Sequence, residues 1–500
     1  MTSLNITSLN AIGRDQRRAW FALALPAVMA GLLALVPVFG TAAKGAFLAV
    51  LVPLVIWAAF SDTERAVYVY LAWCWMDGTI RGVFDSAPVM IVARDIILGL
   101  VVIGWGLRRL QTRSIDPLRV PSISLLVALF ILNALVQIAN PFSLGLVQSV
   151  AGLKLHFSAI PLLYVGFDVF RRPSQIRALF LFLTLATLVI GMVSLVQYAH
   201  GREWTWSHFP GTKTVISQSF NASSGSDLTA DDSFKPPGTT SFGGGTGGFV
   251  GLVFPLPFAL LLLSSRLKAG KFGTAALAAI LLLFTVMIFV NGLRSALAPA
   301  IFGVLLCSFL VRGSLRKRAL TLAGVCLALG FAGWGISQSL SHGGVTNRFS
   351  STFTHPDKAL RDDRQTFFET AGTILVNAPL GCGLGRSGAA AGYLGTGSPR
   401  TLGFSTFSEA YLGTMIFETG VFGAMLIGGI VVTVILRGLQ TQRRLADPDS
   451  QVLAAALLAT LLLIGGEFFS APVLLAPPGS VFFWLFSAIL LRQGGSYEPA

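Results

Sequence analysis

Along nearly the whole chain, apolar stretches alternate with short polar turns. A helix crosses the hydrocarbon of a bilayer when about 20 mostly apolar residues follow one another. The pattern predicts such helices at 20–39, 45–60, 66–77, 88–107, 121–138, 146–168, 178–197, 247–265, 272–291, 295–312, 318–336, 408–437, 451–470 and 473–492. That is an all-α polytopic membrane protein of about fourteen transmembrane helices, the third being short for a crossing.

Composition agrees with this reading. Of the 500 residues 54% are hydrophobic and 12% charged, and the mean hydropathy is +0.73, well outside the range of a soluble domain. The net charge of +14 points to nucleic acid in a soluble protein; here cations also report topology, and no nucleic-acid-binding motif accompanies them. Cys74, Cys307 and Cys326 lie in apolar segments and Cys382 in a turn, without CxxC or Cys/His metal spacing, so neither a disulfide framework nor a zinc site is indicated; no cofactor is expected. The polar residues 1–19 lead into the first apolar run without a small-residue cleavage site, as expected of an uncleaved cytoplasmic tail.

The charged loops set an orientation. With the N-terminus inside, RRLQTR at 108–113, RRPSQIR at 171–177, SRLKAGK at 265–271, RGSLRKR at 312–318 and RGLQTQRR at 437–444 all face the cytoplasm. TAAK at 41–44 and NPFSLG at 140–145 face outward almost without charge, which is the positive-inside pattern. The expected organisation is a cytoplasmic tail (1–19), an N-terminal bundle (20–197), an extracytoplasmic loop (198–246), central helices (247–336), a large extracytoplasmic loop (337–407), C-terminal helices (408–492) and a cytoplasmic tail (493–500). Both termini are then cytoplasmic.

The second long loop holds RDDRQTFFETAGTILVNAPLGCGLG at 361–385. Residues 365–377 have the spacing of a short amphipathic helix lying on a membrane surface. Arg348, Lys358, Arg361, Arg364, Arg386 and Arg400 break the inside bias and are functional candidates, with solvated loop charges as the competing reading.

Three stretches in this order resemble the O-antigen ligase and polysaccharide polymerase superfamily. NGLRSA at 291–296 is similar to its Ser-Arg-Gly-type motif. Arg364, Phe368 and PLGCGLG at 379–385 are similar to its arginine, tryptophan and P-x-x-G-x-G-x-G pattern. SEAYLGTMIFETGVFGAML at 408–426 is similar to the segment that usually begins His-Asn-x-Tyr-Leu and ends in Glu-x-Gly. KPPGTTSFGGG at 235–245 is a weaker fourth match to an Arg-x-x-Gly-Thr-Phe stretch. The matches cover about the C-terminal half. One departure stands out: Ser408 and Glu409 occupy the places where the family commonly has His and Asn.

The resemblance implies transfer of a glycan from an undecaprenyl-pyrophosphate carrier to a sugar hydroxyl on the periplasmic side of a bacterial inner membrane, without a metal. Guanidinium groups suit this chemistry because their rigid forks hold phosphate oxygens and stay charged as the leaving group departs. Arg294 and Arg364 match the motif positions for that role. Glu409, at the mouth of its span, is the candidate proton acceptor for the sugar hydroxyl; as a bland alternative it is a helix N-terminal carboxylate with Ser408 as cap. Lys235, Arg361, Arg386, Arg400 and Tyr411 are substrate-binding candidates. So are Arg94 and Lys154, which lie about 9 Å and roughly 12 Å below the outer ends of their helices at about 1.5 Å per residue. Charges at that depth are costly unless they face a cavity or a partner, and Asp95 is a ready neutralising neighbour for Arg94. Glu418, deeper than Glu409, is expected to orient an arginine or support packing, and His355 is an alternative base. The aromatic residues of EWTWSHF at 203–209 suit sugar stacking and an interfacial belt equally.

The missing histidine favours a repeat-unit polymerase, with a ligase as the alternative. A lipid-linked oligosaccharide flippase is the alternative of another class, against which stands the absence of a repeated half with broken helices. Expected partners are the lipid-linked oligosaccharide, the bilayer, and flippase, chain-length or export proteins of the same pathway.

Overall fold

The computed structural model describes residues 20, 21, 23–28, 31, 49, 51–84, 88–112, 123–208, 234, 236–240, 245–264, 266, 270–292, 294–340, 372–386, 410–469 and 471–494. Among them there are helices and turns and no strand. α1 (Leu51–Ser61) runs into α2 (Thr63–Val83), which Asp62 caps by accepting the Glu64 N–H at 2.9 Å. There follow α3 (Pro88–Gln111), α4 (Ser124–Ile138), α5 (Leu146–Phe157), α6 (Pro161–Val169) and the long α7 (Pro173–His208). The central helices are α8 (Gly245–Val253), α9 (Pro255–Leu263), α10 (Gly270–Asn291), α11 (Arg294–Leu310) and α12 (Ser314–Leu340). A short α13 covers 372–377, and α14 (Tyr411–Arg444), α15 (Pro448–Glu467) and α16 (Gly479–Gly494) close the described chain.

Among the described residues seven helices are long and apolar enough to cross a membrane: Leu146–Val169, Pro173–His208, Gly245–Leu263, Gly270–Asn291, Ser314–Ser339, Tyr411–Arg444 and Pro448–Glu467. Two of these are broken by proline. Pro161 and Pro255 each stand at the first position of a new helix, where the missing N–H costs nothing, so 146–168 becomes α5 and α6, and 247–265 becomes α8 and α9. The expected span 473–492 starts late for the same reason: Pro472, Pro477 and Pro478 keep 472–478 in turns, and α16 begins at Gly479. Of the expected surface helix 365–377, residues 372–377 are helical and 365–371 lie outside the described residues.

The short third segment is a 21-residue helix in the middle of the bundle. Tyr68, Tyr70, Trp73 and Trp75 of α2 are all buried. Trp75 meets Phe249 edge-on at 4.9 Å and donates its indole N–H to Thr187 at 3.0 Å. Hydropathy undercounted this helix because its last turns carry Asp77 and Arg81, which neutralise each other one turn apart at 2.8 Å, both buried. Around it α16 packs on α6, α15 on α9 and α11, and α14 on α4. Phe272, Phe302 and Phe331 stand on the outer surface of α10, α11 and α12, where a bilayer covers apolar side chains without penalty.

Polar contacts divide the bundle into two ends. At one end Arg109 and Arg171 pair with Asp168, Arg177 and Arg266 reach Asp449 at 3.3 and 3.4 Å, and Gln175 donates to Glu64 at 2.9 Å. Arg312 donates to the Arg443 carbonyl at the same end. The described parts of the basic stretches therefore gather together. The glycine-rich stretch, the start of α14 and the turn between α4 and α5 lie at the opposite ends of the same helices.

Candidate functional site

Two chain segments tuck into that second end. One is the turn 236–240. Its Gly238 carbonyl accepts from Gln197 at 3.0 Å and its N–H donates to the same side chain at 2.8 Å, while the Thr239 carbonyl accepts the Gly78 and Thr79 N–H groups at 2.9 and 3.2 Å. Residues 236–240 of the weak fourth match thus plug the bundle beside the last turns of α2. Beside α11, Asn291 is buried and donates to Ser194 at 3.0 Å, which fixes the backbone entering NGLRSA.

The other is the glycine loop 379–385, gripped from three sides. From α4 and the turn after it, Gln137 donates to the Leu380 carbonyl at 2.6 Å and Asn140 to the Gly381 carbonyl at 2.9 Å. From α5, Gln148 donates to the Gly385 carbonyl at 2.5 Å. On α14, the Phe417 carbonyl accepts the Cys382 N–H at 2.7 Å, and the Val421 N–H donates to the Pro379 carbonyl at 3.0 Å. α14 kinks there, at Gly420 with φ 71°. A Cβ on Gly381 would sit 2.6 Å from the Gly420 nitrogen, so both positions need glycine.

The sequence predicts a tight turn that offers its N–H groups to a ligand. The turn is present, but the Gly381 and Cys382 N–H groups are already bonded, to Ala378 and Phe417. At the centre of the loop, burial raises the Cys382 thiol above its ordinary value against the opposing pull of Arg386. Arg386 itself donates to the Phe142 carbonyl in the α4–α5 turn.

Arg94 and Lys154 do meet, through Asp95. Lys154 pairs with Asp95 at 2.7 Å and Arg94 approaches the same carboxylate at 3.7 Å, with Asp77 in electrostatic range of Arg94. Both cations are partnered, which is how a bundle interior tolerates them. Replacing Asp95 by Asn removes the carboxylate that Lys154 and Arg94 share and is expected to cost about 1–3 kcal/mol, read as a lower melting temperature of the purified protein in detergent.

Tyr411 lies inside the bundle, 1% exposed. Its side chain is buried against Phe468 at 5.1 Å and its N–H donates to Ala471, because the start of α14 docks on the turn after α15. Glu418 partners a histidine: His156 Nε2 lies 2.9 Å from Glu418 Oε2, with the two side chains 1% and 2% exposed. The ring of Tyr411 is 5.9 Å from that of His156. Trp204 stacks between His200 and His208 at 4.7 and 4.3 Å, and Arg202 lies over Trp206, so the aromatic residues of 203–208 pair within their own helix.

Arg294 is the first residue of α11, and only its backbone belongs to the described part. Lys235, Arg361, Arg364, Arg400 and Glu409 lie outside the described residues, as do Arg348, Lys358, His355, Phe368 and Ser408. Set against known proteins, the chain matches no family model, and no curated protein is similar to it.

Proposed function

We propose that the chain polymerises glycan repeat units by transferring them from an undecaprenyl-pyrophosphate carrier to a sugar hydroxyl at the outer face of a bacterial inner membrane. In this reading about fourteen helices cross the bilayer, both termini are cytoplasmic and the long loops are periplasmic. One observation carries most of the support. The glycine loop, the kink of α14 at 417–421 and the polar turn between α4 and α5 form one hydrogen-bonded junction, so 379–385 and the 417–421 part of the other resembling stretch are neighbours in space.

The step breaks the bond between the anomeric carbon and the diphosphate oxygen, whose electron pair leaves with the diphosphate. The acceptor hydroxyl forms the new glycosidic bond and gives its proton to a base. Arg294 and Arg364 stabilise charge on the departing diphosphate, with Arg361, Arg386, Arg400 and Lys235 around it, and Glu409 is the candidate base. Ligation of finished glycan to another acceptor uses the same chemistry.

Depleting the chain in cells separates transfer from transport. Loss of a transferase leaves single repeat units on carriers in the outer leaflet, open to added glycosidases; loss of a flippase holds them in the inner leaflet. Protected units would sink the proposal.

A further inference from the structure

His156 and Glu418 stand 262 residues apart in sequence and meet at 2.9 Å in the interior of the bundle. Such a pair does little for stability. Two ionisable groups this deep lose more hydration than their mutual attraction returns, and apolar side chains of similar size commonly hold a bundle at least as well. His156 Nδ1, moreover, is buried without a hydrogen-bond partner among the described residues, a further cost. The placement of the pair is informative.

On α5, Gln148, Gly152 and His156 follow one another at four-residue spacing and share a face. Gln148 holds the Gly385 carbonyl, and Gly152 lies so close under Gly385 that a Cβ on it would be 2.2 Å from the Gly385 nitrogen. His156, the next turn down, takes Glu418. On α14 the residue before Glu418 accepts from Cys382, and Gly420 and Val421 touch Gly381 and Pro379. The two helices that grip the glycine loop are thus tied together immediately beneath it. Arg386 follows the loop directly and is anchored on Phe142.

We infer that the His156–Glu418 pair is a positioning latch that fixes α5 against the kink of α14, seats the glycine loop between them, and so sets where Arg386 meets the diphosphate of the donor. The latch itself stands on the geometry; its consequence for the donor rests on the transfer reading above. His156 and Glu418 touch the loop's supports and not the substrate, and act through Arg386.

The native thiol of Cys382, buried at the centre of the loop, reports the seat without any substrate. The test uses full-length protein carrying Cys74→Ala, Cys307→Ala and Cys326→Ala, and measures maleimide labelling of Cys382 together with KM and kcat for a polyprenyl-diphosphate-linked glycan. His156→Leu and Glu418→Leu each break the pair from one side and are expected to lower abundance. The double His156→Leu/Glu418→Leu variant puts two apolar side chains where the pair stood and regains abundance relative to the single variants, yet labelling of Cys382 speeds up and donor KM rises by about tenfold, some 1.4 kcal/mol of binding. kcat stays unchanged. His156→Gln, which still donates to Glu418, keeps Cys382 protected. A double variant with normal abundance and wild-type labelling overturns the latch, because the pair would then be filling space only. Faster labelling with unchanged KM, where the parent protein transfers glycan, overturns its link to the donor. A parent protein that transfers nothing refutes the proposed function, while Cys382 still decides the latch. A raised KM in Glu409→Gln with no change in the double variant assigns donor positioning to the entry of α14 and likewise overturns it.

Discussion

Glycan transfer is expected to fall by about 10²–10³-fold when Arg294 or Arg364 is replaced by alanine, with the protein still present in the membrane. The leaving diphosphate gains charge as its bond to the sugar breaks, and a fixed guanidinium meets that charge more strongly in the transition state than in the ground state. The backbone leading to Arg294 is well held: Asn291 is anchored on Ser194, and Gly292, at φ 60°, turns the chain into α11. The first N–H groups of that helix add their own attraction for an anion. Lysine in place of either arginine restores only part of the rate, because a point charge cannot hold two phosphate oxygens in a fork. The measurement is the length distribution of carrier-linked glycan: single units accumulate in the variants and longer chains disappear. Wild-type chain lengths in both alanine variants would remove the arginines from the reaction.

The second large effect is expected at Gly385, replaced by alanine. Its φ is +74°, and a Cβ there would lie 2.1 Å from the Gln148 carbonyl oxygen and 3.1 Å from the Gly152 nitrogen. Both obstacles are backbone of α5, which cannot swing aside as a side chain does. The left-handed conformation costs about 1–2 kcal/mol and the clash about 1–3 kcal/mol more, enough together to unseat the loop. Transfer is expected to be lost and the melting temperature to drop. Gly372→Ala is the control: an added Cβ at 372 meets nothing within 4 Å, and activity and melting temperature stay at wild-type values. Equal behaviour of the two variants would contradict the tight seat of the loop.

Hydropathy reached the positions of most helices because a helix that faces lipid must be apolar throughout, and a window average sees that directly. It failed where polar groups are cancelled inside the fold. Asp77 and Arg81 make the last turns of α2 look polar although they pair with each other, and the helical turns at 201–208 look like loop because Arg202, Glu203 and the histidines there are polar. Pro161 and Pro255 were visible as residues, but a bilayer-length apolar run around each hid the break.

The site was legible in part. The glycines of 381–385 announced a turn, and Arg94 with Asp95 announced a neutralised pair. What could not be read was which distant segments complete each contact. Lys154 joins Asp95 from another helix, and the Phe142 carbonyl receives Arg386 from a turn that looked inert. His156 draws no attention as one polar residue in a mostly apolar segment, and charge alone does not name it as a partner of Glu418. Buried ionisable groups on separate apolar helices, each lacking a local counter-charge, are the signal that would have paired them.

The central claim is tested most directly with the purified chain alone in liposomes, supplied with undecaprenyl-pyrophosphate-linked repeat units. The account predicts free undecaprenyl pyrophosphate released in step with glycan elongation, lost in the Arg364→Ala variant. Donor that stays intact, or that only changes leaflet, would contradict it.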